Sequence, residues 1–282
     1  MKPALRPVVN WNIVGGCNYR CSYCVQKHAE GVGGPSDAAL DAGLDLLCAL
    51  PESWEFKISG GEPFLLKRLP EVAGRLAAAG HKVSVLTNLS VPLAVLERFI
   101  DAAGEQLRTF SCSLHLEETS AETFLAKAEA VRDRLKALPR ASFVTNFVVQ
   151  PGHVSEAGRL RKSFNESGIK FYPQLMRKDG APVSYGLLDR LRLKHAFDDL
   201  EGPGDMNRGY SHLGKTCHAG HRYFILHPKG DAYTCYPGKR EGDGFLGNIY
   251  DGSFRLNEGP MTCRYQVCPC TVPQNRGIVI GK

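Results

Sequence analysis

The chain of 282 residues lacks any run of eighteen consecutive apolar residues, and its first ten residues contain no apolar stretch. A membrane-spanning helix needs about 20 apolar residues, and a signal peptide needs an apolar segment of about 7–15. Internal repeats and low-complexity segments are also lacking. We therefore expect neither a membrane partner nor secretion, and a cytoplasmic location is the default expectation.

Long basic clusters are lacking as well, although the formal net charge is +6. The densest are "RLRK" at 159–162 and "RLRLK" at 190–194, and no aromatic residues alternate with them. Such short clusters are typical of solvated helix faces, so we expect no nucleic-acid partner.

Cysteine, in contrast, is abundant, with ten residues. In a chain without a secretion signal, cysteines are more often metal ligands or catalytic groups than a disulfide framework. Three lie together at 17, 21 and 24, and five lie in the last quarter of the chain, whereas Cys48 and Cys112 stand apart.

Short apolar runs alternate with helical periodicity from residue 8 to about 176. We predict strands at 8–14, 55–59, 82–87, 108–116, 142–150 and 169–176, and helices at 37–50, 69–80, 92–104, 120–138 and 155–168. Ser36, Ser120 and Ser155 are predicted N-caps, and glycines 80, 104 and 168 are predicted helix ends. Six strand–helix repeats predict an α/β fold, a partial (β/α)6 TIM-like barrel with its site at the carboxyl ends of the strands.

The composition of the sequence changes after residue 177. Beyond a linking helix at about 185–200, the segment is rich in glycine, proline, asparagine and aspartate, and strands at 222–228 and 231–236 are predicted to form a β-hairpin through Lys229 and Gly230. So small an irregular region needs a metal centre to hold it. We therefore predict a barrel domain at 1–184 and a small cluster-binding extension at 185–282.

The first cysteine group is Cys17-x3-Cys21-x2-Cys24, in the loop after the first strand. Zinc sites usually bring two separated ligand pairs, and thioredoxin-like sites use one Cys-x-x-Cys. Three thiolates in one loop suit a [4Fe-4S] cluster with one iron left open for a ligand.

These residues resemble the signature of the radical S-adenosylmethionine (SAM) enzymes, Cys-x3-Cys-x-aromatic-Cys, with Tyr23 as the aromatic residue. A second family element, "GGEP" at Gly60, Gly61, Glu62 and Pro63, follows the second predicted strand. The resemblance implies that this loop meets the amino group of SAM: the glycines allow close approach, and Glu62 and main-chain acceptors face the ammonium.

The resemblance implies further SAM contacts on later strands. Asn88 lies in "LTNLS", where Leu89 replaces the glycine usual in the family, and Ser113 is the candidate for the ribose. His115 is interpreted as a substrate contact or a structural histidine, and Gln150 and Gln174 as candidates to line the barrel. His28 is interpreted as a solvated loop residue.

The second cysteine group begins Cys217-x12-Gly230-x4-Cys235, which resembles the opening of the SPASM and twitch extensions that bind auxiliary clusters. It continues Cys263-x4-Cys268-x-Cys270, which departs from the full SPASM pattern. Five cysteines cannot fully ligate two clusters, so we expect one auxiliary [4Fe-4S] cluster on four of them. Which of the last three cysteines is spare stays open, and a zinc site held by four cysteines is the alternative.

The resemblance implies reductive cleavage of SAM, with an electron from a flavodoxin- or ferredoxin-type donor, and abstraction of a substrate hydrogen atom. Oxidation, with the auxiliary cluster as electron acceptor, and epimerisation, with a spare thiol as hydrogen donor, are both open. Few residues precede the first strand, so we expect a small molecule such as an amino sugar in natural-product biosynthesis. The alternatives are a ribosomally made peptide and an electron carrier without SAM chemistry.

Overall fold

The computed structural model describes residues 5–26, 34–200 and 205–280, and His28 lies outside them. From residue 8 to residue 175 six strands alternate with five helices, as the sequence predicts. The elements are β1 (Val8–Val14), α1 (Asp37–Cys48), β2 (Glu55–Gly60), α2 (Leu69–Ala78), β3 (Lys82–Thr87), α3 (Leu93–Ala103), β4 (Leu107–Leu114), α4 (Ala121–Leu135), β5 (Ser142–Val149), α5 (Val154–Glu166) and β6 (Lys170–Leu175).

The six strands form one parallel sheet in chain order, each hydrogen-bonded to the next. In the described part of the chain β6 is an edge strand, so the sheet stays open on that side. The predicted α/β class with a partial TIM-like barrel is confirmed. In such a sheet all carboxyl ends lie at one edge, where the loops after the strands meet.

Alternation along each strand separates an apolar face from a polar one. On β1, Val9, Trp11 and Ile13 are buried in the main core against the helices, while Asn10 and Asn12 face the interior of the barrel. β4 alternates in the same way, because Cys112 is fully buried in the core and Ser113 lines an interior cavity. The inner faces of β1 and β4 therefore present polar side chains to the interior of the barrel.

Two of the three predicted helix caps are confirmed. The side chains of Ser36 and Ser120 accept hydrogen bonds from the backbone N–H groups of Ala39 and Thr123. The prediction for Ser155 is wrong: α5 begins at Val154, with His153 at the N-cap position and no side-chain cap bond. Val154 is fully buried, so its packing starts the helix two residues before the capping pattern suggests.

The second half contains short elements, which are β7 (Arg177–Lys178), β8 (Ala181–Pro182), α6 (Leu187–Ala196), β9 (Thr216–Cys217), β10 (Tyr223–Leu226), β11 (Asp231–Tyr233), α7 (Tyr236–Arg240), β12 (Phe245–Asn248), β13 (Met261–Thr262), α8 (Val272–Asn275) and β14 (Val279–Ile280). The hairpin of β10 and β11 is confirmed. Its second strand is shorter than predicted, because it ends at Tyr233 and Cys235 instead caps α7.

The hairpin extends the barrel sheet. β10 pairs in parallel with β1, and β11 and β12 follow in antiparallel order, which gives a nine-stranded sheet. The second cysteine group is thereby fixed beside the first strand of the barrel. Across the described ranges no helix is long and apolar enough to span a bilayer.

Candidate active site and cysteine cavity

The loop that carries the first three cysteines runs directly against the glycine pair after β2. The N–H of Gly61 donates to the carbonyl of Val14 at 2.9 Å, and the N–H of Glu62 donates to the carbonyl of Gly16 at 2.9 Å. A Cβ atom on Gly61 would lie 1.8 Å from the Gly16 carbonyl oxygen, and one on Gly60 would lie 2.3 Å from the Val14 oxygen. The two glycines are therefore required by the close approach of the cysteine loop.

A cavity of ≈ 200 Å³ opens at the carboxyl ends of the strands. Most of the predicted site residues line it, together with His115 and Gln174; they are Cys17, Cys21, Cys24, Tyr23, Gly60, Gly61, Asn88 and Ser113. Sequence reasoning missed several other lining residues, including Leu86, Val148, Leu175, Arg177 and Asn207. Three thiols together with amide, hydroxyl and apolar groups in one lining fit a [4Fe-4S] cluster beside a nucleoside-like ligand.

Glu62 corrects one expectation, because its carboxylate does not line this cavity. The residue is 1% exposed and accepts hydrogen bonds from the N–H groups of Phe64 at 3.1 Å and Asn88 at 2.7 Å and from the Thr87 hydroxyl at 2.8 Å. Burial raises the pKa of Glu62, and these donors only partly oppose it. Glu62 thus holds the loops after β2 and β3 together. Pro63 is likewise buried outside the cavity, in the turn that Glu62 caps.

Leu89 adopts a left-handed backbone conformation, which is easy for the glycine that the family usually has at this position. Its φ is 58°, in the left-handed region, and its side chain is buried. The Thr87 hydroxyl accepts a hydrogen bond from the Leu89 N–H at 3.1 Å. The loop geometry is thus kept without glycine, and Asn88 still reaches the cavity.

The loop after β4 holds the cysteine loop through side chains that sequence reasoning missed. Glu117 accepts from the backbone N–H of Ser22 at 2.6 Å, and Glu118 accepts from the N–H of Arg20 at 2.5 Å. Gln150 lies 3.4 Å from Glu117 and does not line the cavity. His115 makes a hydrogen bond of 2.9 Å with the Tyr23 hydroxyl and stacks on its ring. These contacts fix the backbone between the three thiols.

Four cysteines of the second group line one separate cavity, and the fifth does not. The four are Cys217, Cys235, Cys263 and Cys268, and the cavity is otherwise lined mainly by apolar residues. Two backbone ladders bring distant segments together: Cys217 on β9 pairs with Met261 on β13, and Tyr210 exchanges hydrogen bonds with Cys268. Cys235 reaches the same cavity because it caps α7.

Cys270 lies beside the inner face of the barrel. Its sulfur is 3.6 Å from the side-chain nitrogen of Asn10 and 3.9 Å from the hydroxyl of Tyr223. Burial raises the pKa of the Cys270 thiol, while hydrogen bonds and the charge of Lys57 act in the opposite direction. Asn10 and Lys57 are register partners on β1 and β2, so this thiol faces the polar interior.

The two groups of cysteines are arranged differently from the ligands of a single metal ion. No three histidine, cysteine, aspartate or glutamate side chains among the described residues converge on a position that one metal ion could take. A [4Fe-4S] cluster instead holds each thiolate at a separate iron.

Comparison with known proteins agrees with this arrangement. The family model described as "Radical SAM superfamily" matches residues 11–152, half of the chain, from β1 to the end of β5. The S-adenosylmethionine-dependent nucleotide dehydratase of Psychrobacter lutiphocae is 33% identical over 95 residues, which span 29% of this chain and 32% of the relative. The chain thus spans about a third of the length of that relative.

Two further similarities extend beyond the matched domain. The neomycin C epimerase of Streptomyces fradiae is 28% identical over 212 residues, 73% of this chain and 67% of the relative. The structure of anSMEcpe with bound AdoMet superposes with a TM-score of 0.59 at 16% identity, covering 88% of this chain and 76% of that one. That likeness shows the fold alone. By the match over half its length, the chain belongs to the radical SAM superfamily, and its cofactors are a [4Fe-4S] cluster and S-adenosylmethionine.

Proposed function

We propose that this protein is a radical SAM epimerase that inverts a carbon centre in a polar small molecule such as an amino sugar. The observation that carries the proposal is the separation of Cys270 from the other four C-terminal cysteines. Four thiols at one cavity suffice for an auxiliary [4Fe-4S] cluster, so Cys217, Cys235, Cys263 and Cys268 are its proposed ligands. Cys270 then keeps a free thiol facing the barrel interior.

The proposal assigns one role to the first cysteine group and the residues beside it, and another to Cys270. Cys17, Cys21 and Cys24 hold the first cluster, and the backbone of Gly60 and Gly61, with Asn88 and Ser113, binds SAM. When bound there, the cluster and SAM would supply the radical chemistry that removes one hydrogen atom from a substrate carbon. The thiol of Cys270 then gives a hydrogen atom to the opposite face of that carbon. The sulfur radical left on Cys270 would need one electron and one proton to become a thiol again. The sulfur of Cys268, a proposed ligand of the auxiliary cluster, lies 3.6 Å from the carbonyl oxygen of Cys270, so a cluster held there would be placed to supply the electron.

The polar inner face supports a hydroxyl- and amine-bearing substrate. Asn12 and Ser59 are hydrogen-bonded at 3.0 Å, and Asn146 and Gln174 at 3.2 Å, so donors and acceptors stand on strands across the interior. Each of these amide groups has further donor hydrogens or lone pairs beyond the pairs named, which a hydroxyl- and amine-bearing substrate can use and an apolar substrate cannot. The relative named neomycin C epimerase, which aligns over most of this chain, supports both the reaction type and the substrate class.

The test uses the anaerobically reconstituted protein with neomycin C as the first probe, followed by other amino sugars, in D₂O. Wild type is expected to give an epimer that carries one deuterium, because a thiol exchanges its hydrogen with solvent. Cys270→Ala is expected to form 5′-deoxyadenosine but to lose the epimer at least a hundredfold. Cys48→Ala, a thiol on α1 far from the interior, is the matched control and should behave like wild type.

Other outcomes would contradict the proposal. A product two hydrogens lighter than the substrate would indicate oxidation, and an epimer formed undiminished by Cys270→Ala would remove the role of this thiol. Failure to cleave SAM in a sample that contains about eight irons would favour an electron carrier.

A further inference from the structure

A buried histidine borders the cavity of the four cysteines. His212 is 2% exposed, it lines that cavity, and neither of its ring nitrogens has a hydrogen-bond partner among the described residues. A buried polar atom left unpaired costs about 1–3 kcal/mol, so such atoms normally have a partner. The two nitrogens therefore point to a group that completes the site.

The backbone holds His212 between two of the proposed cluster ligands. Tyr210 and Cys268 exchange two hydrogen bonds, of 3.0 and 2.7 Å, on one side of it. On the other side the N–H of Gly214 donates to the carbonyl of Cys263 at 2.7 Å, and the N–H of Cys263 donates to the carbonyl of Lys215 at 2.8 Å. The segment 210–215 thus runs beside 263–268 and fixes the imidazole at the thiols.

The ring itself has little freedom to turn away. It stacks on the ring of Tyr210 with centroids 5.4 Å apart and an angle of 12° between the planes. A neutral imidazole has one N–H donor and one acceptor nitrogen. Thiolates and inorganic sulfides of an iron–sulfur cluster are acceptors, and hydrogen bonds to them are among the factors that set its reduction potential.

We propose that His212 donates a hydrogen bond to a sulfur of the auxiliary cluster and thereby raises the reduction potential of that cluster. This role rests on the proposed assignment of the four cysteines to an auxiliary cluster. The reduced cluster carries one more negative charge than the oxidised one, so an N–H donor stabilises the reduced state more. His212 is a positioning and tuning residue for electron transfer, since it need not touch the substrate.

The experiment isolates the auxiliary cluster. In the full-length Cys17→Ala, Cys21→Ala, Cys24→Ala variant, only the second group can hold iron, and about four irons per chain are expected after anaerobic reconstitution. The midpoint potential is then measured by redox titration monitored by electron paramagnetic resonance. Adding His212→Phe is expected to lower the equilibrium constant for reduction about tenfold, a shift of about 59 mV for a one-electron couple. His212→Gln keeps an N–H donor and should shift the potential less.

His227 offers a matched control. It also has a buried ring nitrogen without a partner among the described residues, but it does not line the cysteine cavity. His227→Phe should therefore leave the potential unchanged. Equal potentials in the parent and His212→Phe, with iron retained in both, would overturn the role of His212 while leaving the auxiliary cluster in place.

Two further outcomes are distinguishable. Loss of iron in both His212→Phe and His212→Gln, with a folded chain, would make His212 a ligand and overturn the hydrogen-bond role. A parent variant that binds no iron would instead remove the auxiliary cluster, and with it this role.

Discussion

At the scale of single residues, Gly61 decides how closely the cysteine loop approaches β2. Gly61→Ala would place its Cβ 1.8 Å from a backbone oxygen of Gly16, which cannot move without moving Cys17. Since a misplacement of about 1 Å can cost a hundredfold in rate, we expect 5′-deoxyadenosine formation to fall about a hundredfold. The measurement is the rate of that product under dithionite, together with the iron content.

Gly74 is the matched control for this substitution. It lies inside α2, and a Cβ there would meet atoms of Ala102 at 3.7 and 3.8 Å, which is ordinary contact. Gly74→Ala should keep full activity and raise the free energy of unfolding by about 0.5–1 kcal/mol, since alanine favours helix. Unchanged activity in Gly61→Ala would show that the loop has more freedom than the backbone contact implies.

At the scale of secondary-structure elements, a buried histidine joins the end of α1 to the start of β2. Nδ1 of His81 accepts a hydrogen bond from the Trp54 N–H at 3.2 Å, and Nε2 lies 3.3 Å from the Cys48 carbonyl, to which it donates. The assignment requires a neutral ring, and burial lowers the pKa of His81.

This junction predicts a dependence of stability on pH. The pKa of His81 is lower in the folded chain than its unfolded value of about 6.5, so the unfolded chain binds the proton more readily. The stability that the neutral His81 ring contributes is therefore lost as the pH falls through about 6.5. His81→Gln should be less stable than wild type by about 1–2 kcal/mol at pH 8, and the difference should shrink by pH 6. Anaerobic urea unfolding at pH 8, 7 and 6 measures it. A pH-independent difference for His81→Gln would contradict the assignment.

Sequence patterns located the elements well and the contacts between them poorly. The six barrel strands were predicted to within about two residues, because strand burial depends on local alternation. Which of Cys263, Cys268 and Cys270 lies outside the second cavity could not be predicted from their spacing, because their environments are set by a bridge from Cys268 to the distant Tyr210. Glu62 was misplaced for a similar reason, since its partners Thr87 and Asn88 come from the next strand. The unpaired state of His212 has no signature in the sequence.

At the scale of the whole molecule, one buried ion pair fastens the C-terminal segment to the barrel. Both carboxylate oxygens of Glu55 on β2 accept hydrogen bonds from Arg276, at 2.8 and 3.1 Å, and the Ser84 hydroxyl donates at 2.9 Å. Burial alone would raise the pKa of Glu55, but Lys57 and Arg276 outweigh it and lower the pKa to about 2. The carboxylate is thus ionised and held between the two halves of the chain, with Arg276 only six residues beyond Cys270.

Breaking this pair from one side should cost more than removing both charges. Arg276→Met leaves the Glu55 carboxylate buried with less compensation, so we expect the free energy of unfolding to fall by about 3–5 kcal/mol. Glu55→Gln leaves Arg276 without its charged acceptor and should also lower the free energy of unfolding. The double variant, Arg276→Met with Glu55→Gln, should be more stable by about 1–3 kcal/mol than the sum of the two single effects predicts. The four unfolding free energies, measured at pH 7 with iron content matched, give the coupling directly, and additive effects would mean that the two halves are joined by other contacts. Because the pKa of Glu55 is lowered in the folded chain, its ionised carboxylate stabilises the fold fully above about pH 4.5, and this stabilisation is lost on acidification toward pH 2. The coupling between Glu55 and Arg276 is therefore expected at its full value at pH 7.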